Sequence, residues 1–212
     1  MSNIAYEVKV AIWVVVALII SISLIFLFFG KYIKNTFAKK NPIRFFYHRV
    51  LSVVRDYDLY LVNNFEISDK NGVKCHFDHI IAGDKFIYLI IDKYYEGTVG
   101  AVPKSPTWAH YRKDGVKELI PNPLNECKLA MSKLSVVTGM NTSFMIGIVL
   151  INNDCVITPI KNVTGEPLLL PSSSLKELVG KYEKSNVDPF NPTQLKQIVK
   201  DLHYLNENKA SI

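Results

Sequence analysis

The chain has 212 residues, 49% of them apolar and 21% charged, with a net charge of +6. That length suits one ordinary domain with a buried core plus one further segment. The composition excludes a disordered chain, which could not bury enough surface to offset its ordering entropy. The three cysteines, Cys75, Cys127 and Cys155, are odd in number, widely spaced and without a CxxC or CxxH pair. This argues against a disulfide framework or a zinc knuckle and suits a reducing compartment. Residues 31–60 hold seven basic side chains against two acidic ones, so the remaining sequence is close to neutral. A broad nucleic-acid footprint over the body is not expected from that distribution.

From Val10 to Gly30 no residue is charged. At 1.5 Å per helical residue the run is about 30 Å long, the thickness of the bilayer's hydrocarbon core. The basic residues follow the run rather than precede it, which disfavours a cleaved signal peptide. A single-pass transmembrane helix is expected over residues 10–30. Lys31, Lys34, Lys39 and Lys40 then place the following part in the cytoplasm and residues 1–9 outside. The same lysines form a basic linker, residues 31–42, beside the lipid bilayer.

Asn41-Pro42 breaks the chain, and Ile43–Leu61 has the three-and-four spacing of an amphipathic helix, ended by Asn63-Asn64. A short strand over Phe65–Ser68 and an Asn71-Gly72 hairpin turn are expected next. Val73–Ala82 alternates as a strand, with His76, Asp78 and Ile80 on one face and Cys75, Phe77 and His79 on the other. Phe86–Ile91 is a continuous apolar run, the mark of a central strand. Residues 100–121 suit a loop or edge hairpin around Trp108. Asn122-Pro123 starts a helix that Gly139 ends, and Phe144–Ile151 is a second apolar strand. A short piece follows over Cys155–Pro159. Two helices close the chain, one after Ser174 with Glu177 in a capping box, the other after Asn191-Pro192. The fold class is therefore mixed α/β, one sheet flanked by helices, with a strand–helix–strand crossover between the two apolar strands.

Helix, antiparallel strands, helix, strand is also the order of the restriction-endonuclease-like nucleases. Such a site needs one acid ending a strand and an acid-x-lysine triplet ending the next, because alternate strand residues share a face. The acids hold Mg²⁺ and the lysine stabilises developing charge or orients water.

Phe77-Asp78-His79-Ile80, the run Ile87–Gly97 containing Asp92-Lys93-Tyr94-Tyr95, Trp108, and Asn122-Pro123-Leu124 resemble, in this order, the motifs of the nuclease-related domain family, NERD. The resemblance covers roughly residues 44–160 and implies a NERD-like domain over 43–160, with 161–212 a helical extension packed on it. It implies Asp78 as a metal carboxylate and Lys93 as the catalytic lysine. The triplet's acid falls on Ile91, the helix's glutamine falls on Glu126, and the glutamate usual early in the first helix has no counterpart. Asp92 faces away from Lys93 in a regular strand, although a β-bulge would turn it back. Glu126 could reach the site from its helix start. The site residues are thus Asp78, Lys93 and Glu126 as an impaired catalytic set, with Asp78 and Glu126 as weak Mg²⁺ ligands.

His76 and His79, on opposite faces, read as structural. Tyr94, Tyr95 and Trp108 either stack on bases or cover a sheet edge. Two functions compete. One is a membrane-anchored binding or scaffold module that has lost hydrolysis, with nucleic acid or an unidentified protein as partner. The other is an active Mg²⁺-dependent nuclease cleaving phosphodiesters.

Overall fold

The computed structural model describes residues 11–25, 36, 39–68, 74–158 and 165–207. The chain divides between Phe45 and Phe46 into two units.

In the first unit, residues 11–25 are helical (α1) with exposed side chains such as Trp13 and Ile20. Residue 10 and residues 26–30 of the expected span lie outside the described residues. Among the described residues no helix is long and apolar enough to cross a membrane. The transmembrane expectation therefore gains no support from the fold. Asn41 caps the next helix, α2 (Pro42–Tyr57), by accepting the Arg44 N–H at 3.1 Å.

α2 buries Phe46, Val50, Val53 and Val54. It stops four residues before the expected Leu61, because Asp58 takes a left-handed φ of 53° that a helix cannot continue. Asn63-Asn64, expected to end the helix, lie instead inside β1 (Tyr60–Ser68). The expected hairpin turn lies outside the described residues. β2 (Lys74–Ala82) returns antiparallel to β1, and β3 (Ile87–Lys93) returns antiparallel to β2. The apolar run of β3 is fully buried from Ile87 to Ile91, as a central strand should be.

The chain then leaves this sheet. β4 (Thr98–Gly100), the hairpin of β5 (Thr107–Tyr111) and β6 (Lys117–Pro121), and β8 (Val156–Ile157) form a second sheet in the order β6-β5-β4-β8. One sheet was expected; there are two. α3 (Pro123–Thr138) starts as its sequence dictates: Asn122 Oδ1 accepts the Leu124 N–H at 2.9 Å, Pro123 takes the first turn, and Gly139 ends the helix at φ 67°. β7 (Met145–Ile151) then pairs parallel with β3, which completes the expected crossover. Gly147 allows α3 to lie close on β7: a Cβ there would run into Met131 Sδ and Cys127 Sγ.

β9 (Leu168–Pro171), not foreseen, adds a parallel edge to give the order β1-β2-β3-β7-β9. α4 (Leu175–Glu183) follows a 3-10 turn, Ser172–Ser174. Ser174 already has helical angles and makes no side-chain cap, so the expected capping box does not form. α5 (Pro192–Glu207) buries Leu195 and Leu202 against the main sheet. α3 and α5 share a core with Ile80, Leu89, Ile91 and Val149. The opposite face carries His79, Tyr88 and Asp92. There Tyr47 of α2 lies beside His79, and the Tyr88 hydroxyl donates to Glu183 Oε1 at 2.6 Å.

Candidate functional site

The site lies where β2 and β3 part company. Their pairing ends at His79 and Ile90. The β1–β2 ladder is also interrupted here: Asn63 pairs with His79 and Phe65 with Phe77, but Asn64, at φ 50°, does not pair with Asp78. Cys75 and Phe77 on one side of the break, and Ile80 and Ala82 on the other, all join the same core. The expected strict alternation of 73–82 therefore shifts phase between Phe77 and Ile80. A break in the ladder lets both halves of the strand bury apolar side chains on one face.

Asp78 stands at this break. Its Oδ2 accepts the backbone N–H of Asp92 at 2.7 Å, and its Oδ1 lies 3.2 Å from His76 Nε2. Burial works against ionisation, but these two hydrogen bonds outweigh it and hold the carboxyl below its ordinary value. The His76 value is raised in turn, chiefly by its hydrogen bond to Asp78.

Asp92 and Lys93 end β3 with side chains on opposite faces, as strand parity requires. Asp92 Oδ2 meets His79 Nε2 at 3.0 Å, and His79 Nδ1 meets Asn63 Oδ1 at 2.7 Å. The carboxylate is 10% exposed, and burial raises its pKa against the opposing pull of His79. No bulge brings it round to Lys93. On the other face, Lys93 Nζ pairs with Glu126 Oε2 at 2.8 Å, with side chains 27% and 47% exposed. Ile91, on the Lys93 face, is buried in the core.

The structure thus brings Lys93 and Glu126 together, ties Asp78 to the main chain of Asp92, and turns Asp92 away. Among the described residues no three His, Cys, Asp or Glu side chains converge as a metal ion would require. Such a set does not fit Mg²⁺, which wants several oxygens in near-octahedral array.

Trp108 cannot stack on bases: it is 1% exposed and its Nε1–H donates to Val102 O at 2.9 Å. Tyr95 packs on the core beside His110. Sequence reasoning missed Asn152. Its buried amide accepts the Tyr95 N–H at 2.8 Å and donates to the Tyr95 carbonyl at 3.0 Å, extending the β3–β7 junction. It also missed Asn206 of α5, which donates to Asn63 O at 3.3 Å and accepts the Glu66 N–H at 3.1 Å, spanning the break at Asn64. Only the turn-like look of Asn152-Asn153 hinted at the former, and nothing hinted at the latter. Cys75 and Cys127 are buried, and burial pushes their thiols up to about 11 and about 12, which makes them inert core groups.

The fold is a mixed α/β body in which Asp78 stands just past the end of the β2–β3 pairing and Lys93 ends β3. Residues 44–152, just over half of the chain, match the family model of the nuclease-related domain, and the chain belongs to this NERD family. No curated protein and no solved structure matches it.

Proposed function

We propose that this NERD protein is a membrane-anchored binding or scaffold module that has lost phosphodiester hydrolysis. Its body would face the cytoplasm and its first nine residues the outside. The observation that carries the reading is the pair of residues at the acid position: Ile91 is buried on the Lys93 face, and Asp92 is directed to His79. Asp78 and Glu126 are the carboxylates left for Mg²⁺, and each already has a partner. Weak metal retention follows, and with it binding of nucleic acid, or of a protein partner, without turnover. The membrane anchor is supported by the uncharged run Val10–Gly30 and the four lysines after it.

The test is cleavage of DNA and RNA by the purified full chain with Mg²⁺ or Mn²⁺. No product above the buffer control is expected. Robust cleavage abolished by Asp78→Ala and by Lys93→Ala would establish the competing reading, an active metal-dependent nuclease. The anchor is tested separately in intact cells carrying Asn208→Cys. A membrane-impermeant maleimide should label this position only after permeabilisation; ready labelling from outside would reverse the orientation.

A further inference from the structure

The second sheet has an outward face that no part of the candidate site uses. The register puts Ala109 opposite Leu119 and Tyr111 opposite Lys117 on this face, with Thr98 opposite both Tyr111 and Val156. On the other face of the hairpin Trp108 and His110 are buried. Outward, Leu119 is 70% exposed, Val156 62% and Tyr111 46%. Val116 in the hairpin turn is exposed as well. Large aliphatic side chains open to water on one sheet face mark a surface that meets something.

The charges on this hairpin are sorted by sign. Asp114 is paired with Arg112 at 2.9 Å, and Glu118 Oε1 is drawn to His110 Nδ1 at 2.9 Å, on the inner side. Lys117 lies on the outward face, with its ammonium 5.3 Å from the centre of the Tyr111 ring. Lys113 is exposed at the turn. The face therefore combines aliphatic side chains, a tyrosine and a cation, while Asp114 and Glu118 of the hairpin are paired with Arg112 and His110. Tyrosine and lysine are the residues that sit at a bilayer's headgroup level, with an apolar body below and a polar tip above. A nucleic acid would use Tyr111 and the cations but has no use for Leu119 and Val156.

We propose that the outward face of the β6-β5-β4-β8 sheet docks on a phospholipid surface bearing anionic headgroups, with Leu119, Val156 and Tyr111 entering the interface and Lys113 and Lys117 meeting the headgroups. The proposal rests on the membrane reading for the presence of a bilayer, and the experiment separates the two. The full chain is reconstituted in nanodiscs of phosphatidylcholine alone or with one-third phosphatidylglycerol, and amide hydrogen exchange is followed by mass spectrometry. Exchange over residues 111–119 should be about tenfold slower in the anionic discs, from the attraction of two lysines near a charged surface. Exchange in α5 should not change. Lys113→Gln/Lys117→Gln should restore the rate seen with phosphatidylcholine, and Leu119→Ser should weaken protection with both lysines present.

Equal exchange in both kinds of disc would overturn the docking face while leaving the anchor standing. So would protection that appears without lipid and grows with protein concentration, which would mark a face between copies of this chain. Protection produced by an oligonucleotide but not by lipid would overturn it too. If the chain does not enter discs, the anchor fails, and co-sedimentation with preformed vesicles of the two compositions decides the face. Binding to anionic vesicles that the lysine variant loses would support it, and no binding would retire it.

Discussion

The two sides of the main sheet at the end of β3 handle charge in opposite ways. On one side Asp92, His79 and Asn63 form a buried chain, its ring and carboxylate 5% and 10% exposed. On the other side Lys93 and Glu126 meet at the open start of α3. The residues that head these two groups are adjacent in sequence. Strand parity alone sends one to His79 on the closed side and the other to Glu126 at the solvent edge. An acid can be one residue from the right place and still serve the stability of the sheet instead of a metal. Asp78 joins the sides, because its carboxylate holds the N–H of Asp92.

The largest effect should come from the buried side. His79→Ala leaves the Asp92 carboxyl without its partner in a dry setting, and loss of about 4 kcal/mol in urea unfolding is expected. Replacing both residues with leucine should cost less than the single change, because no charged group is then stranded. A double variant as damaged as the single one would show that the contact matters for shape and not for charge.

Ile91→Glu tests the outer side. The new carboxylate enters a core position, and the destabilisation should be roughly 3 kcal/mol without metal. With Mn²⁺ the variant should recover thermal stability, since the introduced carboxylate would join Asp78 and Glu126 as a third oxygen donor. Wild type should show no such rise. A Mn²⁺-dependent rise in wild type would mean that the outer side already holds metal.

Much of this arrangement was legible in the sequence, and the division between legible and illegible is physical. The apolar runs of β3 and β7 and the Asn122-Pro123 helix start are local signals, and each produced the element it announced. The antiparallel pairing of β2 with β3 likewise follows from strand order, and it brings the Asp78 carboxylate to the main chain of Asp92. What could not be read were properties shared between distant segments. Asn63-Asn64 looks like a turn, but it is a ladder break spanned by Asn206, more than 140 residues away. The phase shift in β2 is a consequence of that break. β9 is short and ends in proline, so no periodicity marks it. Trp108 looked available as a stacking platform because its burial depends on the loop at Val102.

Asp78 and Asp92 should also respond oppositely to pH. The Asp78 carboxyl is held below its ordinary value, so its contribution is fully present above about pH 3.9 and is lost as pH falls through the lowered folded value. Asp92 is raised, chiefly by burial, so its contribution is present below about pH 3.9 and lost as pH rises through the raised value. The stability gap between wild type and Asp78→Asn should therefore shrink on acidification. The gap between wild type and Asp92→Asn should shrink as pH rises from acid towards neutral. Melting temperatures of the three proteins across acid pH measure both trends. Parallel trends would mean that the two carboxyls titrate as one group, which would remove the contrast between the sides.

The smallest effect belongs to Glu126. Its pair with Lys93 is short, but both side chains reach solvent, and exposed ion pairs contribute about 0.2–1 kcal/mol. Glu126 also sits in the first turn of α3, where a negative charge is favoured by about 0.3–1 kcal/mol at low salt. Glu126→Gln should thus cost about 0.5–2 kcal/mol, and most of that should vanish in 1 M salt, where the screening length falls to about 3 Å. Lys93→Met should cost less still, because it leaves the helix start intact. The coupling between the two changes, read from the double variant, separates the ion pair from the helix contribution. A coupling above about 2 kcal/mol that resists salt would mean that Lys93 and Glu126 are as dry as His79 and Asp92. The outer side would then be a second structural clamp, closed to metal and to nucleic acid alike. A small, salt-sensitive coupling keeps Lys93 free to leave Glu126 for a phosphate, as a binding role for this side requires.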